Sequence, residues 1–374
     1  MKYFLSIVFL VLVTTLYCCI EPFSPPEVNS DQNYLVVDGF LNVGKDTSRI
    51  ELRRTQNINE KATSVVEAGA TVTVESEGGE SNVFTDGGSG LYYLPPRQYN
   101  VAGKYRLRIK TKAGKEYLSD YVTVSATPPI DSLTSRFDPG TDAMVFYVNA
   151  HDAQNKTQFY RWKFEETWEY RTAYFSTIEV VNKKIVTREK DISRCWGNMR
   201  SGSILLGSTV KLSSDVIKDL PLFRVPVGTN KLYIKYSVLV KQYGLTRQAF
   251  EYWTTLSKTT QGTGSLFDPQ PSQVTGNIQN TKDSGDLVFG YFSAATEETK
   301  RLTIEPRLGR YPTCAPPDTF DIVCSPMSDR QCALETSALL MNYGGERAEY
   351  ILGAPSTCTD CRVQGGTTTR PSYW

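Results

Sequence analysis

Short alternating segments fill residues 34–125, and they constrain the fold more than any other feature of the chain. Runs such as 69–76 and 104–111 place apolar or β-branched side chains at every second position. Glycine and proline pairs end these runs, and residues 112–115 are typical of a hairpin turn. Evenly spaced strands of this kind predict an N-terminal Ig-like β-sandwich over residues 34–127.

The rest of the chain, residues 128–374, is also rich in strand-like runs but is less regular. We expect strands at 143–150, 158–170, 177–181 and 231–243. The region after Glu305 is rich in Pro, Cys and Gly, and it predicts irregular structure held by disulfides.

Two segments of this second region predict short helices. Ala249, Phe250, Trp253 and Leu256 lie at helical spacing after Thr246, a suitable N-cap. Residues 214–221 form a second candidate, which Pro221 would end. The predicted fold class is therefore mainly β: an Ig-like sandwich, then a larger β-rich, disulfide-stapled C-terminal domain with one or two short helices.

The N-terminus has the pattern of a lipoprotein signal peptide. Lys2 precedes about 14 mostly apolar residues, too few to span a bilayer comfortably. The small residue Cys18 at position −1 favours Cys19 as the lipidated residue, whereas the bulky Tyr17 departs from the usual pattern. A plain secretory signal is the alternative. We expect residues 1–18 to be the signal peptide and 19–33 to be the lipidated cysteine with a proline-containing tether.

Six cysteines remain beyond Cys18 and Cys19, and exported proteins use an even number of cysteines for disulfides. Their pairing is open among 15 possibilities. Cys358 and Cys361 also have the spacing of a zinc or redox pair, but a second close pair and a thioredoxin-like context are missing. The disulfide candidates are Cys195, Cys314, Cys324, Cys332, Cys358 and Cys361.

Charge and histidine content exclude several classes of function. Loss of Lys2 leaves 40 basic and 40 acidic residues, so the mature chain has no excess charge for a nucleic-acid backbone. His151 is the single histidine, which excludes multi-histidine metal sites and histidine-rich catalytic centres. We expect no metal and no cofactor.

The remaining polar clusters favour structural roles over catalysis. Glu165 and Glu169 would lie about 13 Å apart on a strand, too far for a glycosidase pair, and with Glu166 they predict solvated or salt-bridged residues. The acidic set Asp268, Asp283 and Asp286 lacks EF-hand spacing and predicts a loop. For His151 a turn-capping role is favoured. The sequence therefore predicts no catalytic residue, and it leaves the ligand-binding residues unknown.

Aromatic residues make up 11% of the chain, with 22 Tyr, 16 Phe and 5 Trp. Strands favour such residues, yet exported β-proteins also use Tyr and Trp as anchors for glycans or protein partners. Both interpretations stay open.

Across nearly the whole mature chain, the sequence resembles the lipoproteins of domain-of-unknown-function family 4249 from Bacteroidota. The likeness rests on Tyr-Arg-Trp and Glu-Thr-Trp at 160–162 and 166–168, and on segments 19–23, 35–39, 69–74, 103–107, 195–196, 236–243, 264–271, 276–278, 290–292 and 358–366 with Trp374.

The resemblance implies an outer-membrane lipoprotein, lipid-anchored and facing the cell surface, whose gene neighbours encode TonB-dependent receptors. It carries over no catalytic residue. We therefore expect a non-enzymatic accessory or ligand-capture subunit of a TonB-dependent transporter, with that β-barrel as its partner. The alternative is a structural or assembly component of an outer-membrane complex without a small ligand. A hydrolase using Glu165 or Asp268 is the least favoured hypothesis.

Overall fold

The computed structural model describes residues 33–56, 65–181, 184–260, 274, 276–308, 313–321, 337–343 and 350–374. The predicted signal peptide, Cys19 and the tether up to residue 32 lie outside this part of the chain. Strands make up 48% of the structure, which confirms the predicted mainly β class.

Nine strands form before residue 127, within the region that the sequence predicted to be a β-sandwich. They are β1 (Leu35–Asn42), β2 (Ser48–Arg54), β3 (Thr71–Ser76), β4 (Ser81–Val83), β5 (Thr85–Asp86), β6 (Leu91–Leu94), β7 (Lys104–Lys110), β8 (Glu116–Ser119) and β9 (Val122–Ser125).

The following region contains nine strands, one α-helix and then seven shorter or more scattered strands. They are β10 (Ile130–Asp138), β11 (Ala143–His151), β12 (Phe159–Arg171), β13 (Ile178–Val181), β14 (Lys184–Thr187), β15 (Arg194–Arg200), β16 (Leu205–Ser208), β17 (Val216–Pro226), β18 (Lys235–Gly244), α1 (Arg247–Thr260), β19 (Ile278–Asn280), β20 (Val288–Gly290), β21 (Ala294–Ala295), β22 (Glu297–Ile304), β23 (Asp318–Asp321), β24 (Ser337–Tyr343) and β25 (Tyr350–Pro355). Short 3-10 helices cover Asn230–Leu232, Ser356–Cys358 and Cys361–Gln364.

The first sandwich packs two sheets over one apolar core. Strands β1, β2, β5 and β6 form one antiparallel group, and β3, β4, β7, β8 and β9 form the other. Alternation along β2 and β7 buries Ile50, Leu52, Leu107 and Ile109 completely, which is the pattern the sequence predicted.

Strands from the second region complete this first sandwich. β20 and β21 pair in parallel with β1, and β19 pairs antiparallel with β8. Ile278, Phe292 and Ala294 join the buried core of the first sandwich. The sandwich is therefore built from residues on both sides of position 127.

The second region packs two further sheets against each other. The sheet β10–β11–β17 covers the sheet β15–β12–β18–β22, with a stack of aromatic rings between them that includes Phe146, Phe164 and Phe223. The indole of the fully buried Trp162 donates a hydrogen bond to Gln242 (2.8 Å), whose amide donates to the Pro128 carbonyl (2.8 Å).

The predicted helix after Thr246 is confirmed. The Thr246 hydroxyl accepts a hydrogen bond from the Ala249 amide (3.2 Å), as an N-cap does. The helix α1 buries Ala249, Tyr252 and Trp253. Its apolar face covers Phe159 and Tyr291 next to the first sandwich.

Two predictions about the second region are wrong. Residues 214–221 do not form a helix, because Val216 to Pro221 belong to β17, an edge strand of its sheet. Pro221 is tolerated there beside a register shift opposite Tyr147. The region after Glu305 is not wholly irregular either, since β23, β24 and β25 form an antiparallel sheet.

Candidate functional site

The strand β12 presents charged side chains on one face and core residues on the other. Tyr160, Trp162 and Phe164 are buried in the core of the second region. Because side chains alternate along a strand, Arg161, Lys163 and Glu165 point together to the opposite face. That face looks towards the first sandwich.

Neighbouring strands extend this charged surface into a row of cations. Lys163 on β12 lies directly opposite Lys241 on β18, and Arg161 lies opposite Tyr243. Like charges placed directly opposite each other in a sheet are destabilising. Nearby carboxylates offset this repulsion, since Lys163 lies 3.5 Å from Asp38 and Lys241 lies 3.1 Å from Glu165.

The first sandwich forms the other wall of a cleft of about 630 Å³, which we call the interface cleft. Asp38 and Phe40 project from β1 into it: Asp38 Oδ1 lies 3.5 Å from Lys163 Nζ, and the Phe40 and Tyr243 rings meet edge to face at 4.9 Å. Between them Gly39 has φ +147°, and a Cβ there would lie 2.2 Å from the Arg49 carbonyl oxygen. Glycine is required at this close approach of β1 and β2.

Desolvation and neighbouring charges shift the pKa values of groups in the interface cleft. Desolvation and the neighbouring Arg161 lower the pKa of Lys163, against the opposing effect of Asp38. Desolvation would raise the pKa of Asp38, but Lys163 and Arg161 outweigh it and lower that pKa. Desolvation together with the Glu297 carboxylate raises the pKa of Tyr243 well above 10.

Arg161 lies at the narrow inner end of the interface cleft, where a further space of about 20 Å³ opens. Its guanidinium lies 3.4 Å above the Trp253 ring, and its Nε is buried without a hydrogen-bond partner in the described part of the chain. Buried polar atoms are normally paired. The inner end therefore offers an unused cationic donor in a space for about one water-sized group.

The outer part of the cleft carries carboxylates that already have cationic or hydroxyl partners. Lys241 Nζ lies 3.1 Å from Glu165 and 3.9 Å from Glu297, and the Tyr243 hydroxyl donates to Glu297 (2.5 Å). Charges of both signs flanked by aromatic rings suit recognition of a polar, charged ligand through charge-assisted hydrogen bonds.

The structure separates the three glutamates that the sequence grouped. Glu165 lines the interface cleft, whereas Glu166 and Glu169 are only 2% exposed. Glu166 accepts hydrogen bonds from Lys231 Nζ (2.9 Å) and the Tyr236 hydroxyl (2.6 Å). Glu169 pairs with Arg194 at 2.6 Å. The expectation of salt-bridged strand residues is confirmed, although two of them are buried rather than solvated.

Four of the six candidate cysteines form two disulfides, Cys195–Cys361 and Cys314–Cys358. The close pair 358/361 is thus divided between two bonds, which agrees with the structural interpretation of this spacing. Cys324 and Cys332, like the lipidation candidate Cys19, lie outside the described residues. Within the described part of the chain, no group of three or more His, Cys, Asp and Glu side chains could hold a metal ion.

The other singled-out polar residues contact groups of the protein itself, and some of these partners are far away in sequence. His151 is exposed at the end of β11, with Nδ1 2.8 Å from Asp131 Oδ2. Asp286 accepts hydrogen bonds from Lys115, Tyr117 and Asn280, and Asp283 accepts one from the Gly285 amide within its loop. Asp268 lies outside the described residues.

Sequence reasoning did not identify Arg161, Lys163, Lys241 or Asp38 as site residues. A usable signal was present: three charges at alternate positions, 161, 163 and 165, in a strand whose other face is aromatic. The residues of β1 that form the facing wall could not be found this way. They are far from β12 in the sequence, and periodicity relates only residues within one strand.

The described residues thus define a mainly β protein with a charged cleft between a β-sandwich and a second pair of packed sheets. In the described part of the chain, no helix has the length and apolarity that a membrane crossing needs. The sequence matches the family model "Domain of unknown function (DUF4249)" over residues 20–301, most of its length. The chain belongs to that family.

Other comparisons give weaker likenesses. A search of curated proteins returned no match. Alpha-2-macroglobulin of E. coli is 11% identical, with 87% of this chain and 16% of that chain covered and a TM-score of 0.18. A mutant Salmonella alpha-2-macroglobulin is 10% identical, with 86% of this chain and 16% of that chain covered and a TM-score of 0.18. The chitinase ChiA74 from Bacillus thuringiensis is 12% identical, with 52% of this chain and 29% of that chain covered and a TM-score of 0.16. This chain spans only a small part of these proteins, and such scores carry no functional argument.

Proposed function

We propose that this protein is a non-enzymatic lipoprotein of the outer membrane that captures a ligand for a TonB-dependent transporter. Lipidation at Cys19 would anchor it on the cell-surface side, and the interface cleft would hold the ligand. The observation that carries the proposal is the pair of opposed lysines, Lys163 and Lys241, lining a 630 Å³ cleft, with Arg161 at its inner end.

The charged residues of the interface cleft favour ligand binding over catalysis. The carboxylates Glu165 and Glu297 each lie near Lys241, and Asp38 lies near Lys163. Desolvation would raise the pKa of Asp38, but Lys163 and Arg161 lower it, so this carboxylate stays ionised near neutral pH, whereas Arg161 is left with an unused donor. An unused donor in a preformed cleft favours ligand affinity.

Ligand capture is tested on the full-length lipoprotein, purified in mild detergent from its own membrane. Small molecules released by heating would be compared by mass spectrometry for the wild type, the double variant Arg161→Gln/Lys163→Gln, and the control Arg97→Gln. Arg97 is exposed in the first sandwich and hydrogen-bonded to Asn82. We expect a charged compound in the wild type and the control that is depleted at least tenfold in the double variant. Identical release from all three preparations would contradict capture in this cleft.

A further inference from the structure

A second charged cleft lies beside the C-terminal segment and shares no lining residue with the interface cleft. The segment after Cys361 is held against β15 by the disulfide to Cys195 and by pairing of Thr367 with Trp196. At its end the Trp374 indole donates a hydrogen bond to Glu169 (2.9 Å). The resulting space of about 740 Å³ is called the basic cleft, and its basic residues are Arg171, Arg194, Lys235, Arg307 and Arg370.

Charge in the basic cleft is strongly unbalanced. Five basic side chains face two carboxylates, Glu169 and Glu305, and Glu169 is buried and paired with Arg194. Among the described residues, Arg171, Lys235 and Arg307 have no carboxylate within ion-pair distance. The whole chain has 41 basic and 40 acidic residues, so this excess is local. Clefts lined by one sign of charge concentrate ligands of the opposite sign.

Arg194 is held at the wall of the basic cleft by Glu169, and its side chain is still 40% exposed. Its Nε is buried and has no hydrogen-bond partner in the described part of the chain, although its Nη2 lies 2.6 Å from Glu169. Guanidinium groups bind carboxylate, sulfate and phosphate through parallel hydrogen bonds. Because the Arg194 side chain is 40% exposed while Glu169 holds it in place, its guanidinium is suited to bind such a group in the cleft.

The aromatic rings of the basic cleft indicate which class of anionic ligand it binds. Tyr233 and Trp374 line the same cleft, and Lys235 Nζ lies 5.2 Å from the centre of the Trp374 ring. A sugar ring presents its C–H face to an aromatic side chain, and an acidic sugar adds carboxylate or sulfate groups for the arginines. We propose that the basic cleft binds an acidic oligosaccharide, a site additional to the interface cleft.

Binding would be measured by calorimetry on the full-length lipoprotein in detergent at 50 and 200 mM NaCl. The probes are a heparin hexasaccharide, an oligogalacturonate, a neutral dextran oligomer and inositol hexakisphosphate. We expect at least one of the two acidic oligosaccharides to bind, more weakly at the higher salt concentration, and the dextran not to bind. Arg171→Gln and Arg307→Gln, both exposed positions, should each lower the affinity about tenfold.

The control Arg97→Gln removes an exposed arginine of the first sandwich and should leave the affinity unchanged. The proposal is overturned if neither acidic oligosaccharide binds, or if all three variants weaken binding equally. Tighter binding of inositol hexakisphosphate than of both acidic oligosaccharides would also overturn it, because phosphate alone would then be the recognised group.

Discussion

His151 shows how a single side chain can be tested without ambiguity, since it is the only histidine in the chain. Its hydrogen bond and charge interaction with Asp131 raise the pKa of the imidazole above 6.5. The stabilisation that this pair supplies is fully present below pH 6.5 and is lost as the pH rises through the higher pKa of the folded state.

We therefore predict a single imidazole titration in NMR spectra, with a midpoint above 6.5. Asp131→Asn should move the midpoint down to the ordinary value, because the carboxylate that favours the imidazolium is removed. Asp142→Asn, in the turn at the opposite end of the β10–β11 pair, serves as the control and should not move it. A midpoint at or below 6.5 in the wild type would contradict the contact.

Gln242 joins two buried polar groups in the core of the second region by hydrogen bonds. Its side chain accepts from Trp162 and donates to the Pro128 carbonyl, and it is completely buried. Gln242→Leu should lower the free energy of unfolding by about 1–3 kcal/mol because both partners lose their hydrogen bonds. Gln158→Leu at an exposed position should change it by less than about 0.5 kcal/mol. Urea unfolding measures both, and equal effects would contradict the buried link.

Lysines that lie against the two faces of β12 should respond differently to the same substitution. Lys231→Gln leaves the buried Glu166 without its cation and should cost about 3 kcal/mol of unfolding free energy. Lys163→Gln loses only a 3.5 Å contact with Asp38 and relieves repulsion by Lys241 and Arg161, so it should cost less than about 0.5 kcal/mol. A larger loss for Lys163→Gln would mean that this lysine serves stability rather than ligand binding.

At the scale of elements, local patterns predicted the fold where neighbouring strands are also neighbours in sequence. Alternation in β2, β7 and β12 and the N-cap at Thr246 were readable, because period and capping are local properties. Segment 214–221 was misread as a helix because its pattern was broken by the register shifts of an edge strand. The return of β19, β20 and β21 to the first sandwich leaves no local signal, since each has three residues or fewer.

The two disulfides should stabilise the folded protein by different amounts. Cys195–Cys361 closes a loop of 166 residues and Cys314–Cys358 one of 44. A longer loop removes more entropy from the unfolded chain, so Cys195→Ala/Cys361→Ala should cost about 1 kcal/mol more than Cys314→Ala/Cys358→Ala. Urea unfolding gives the difference, and peptide mapping without reduction checks the pairing. The opposite order of stabilities would contradict the loop-closure account.

At the scale of the whole molecule, the interface cleft exists because the first sandwich packs against the charged face of β12. Half of that site could be predicted, since Arg161, Lys163 and Glu165 share a strand face. The other half, Asp38 and Phe40, depends on tertiary packing across more than 120 residues of chain. The proposed ligand capture rests on the placement of Lys163, Lys241 and Arg161 opposite β1.

Co-purification shows whether this protein associates with a TonB-dependent transporter. The tagged full-length protein would be extracted from its native membranes in mild detergent, with Cys19→Ala as the matched control that removes the proposed lipidation site. Quantitative mass spectrometry of the eluate should find a TonB-dependent receptor at close to equal stoichiometry, and its amount should fall sharply for the control. Recovery of the lipoprotein without a transporter, or with outer-membrane assembly proteins instead, would contradict the account.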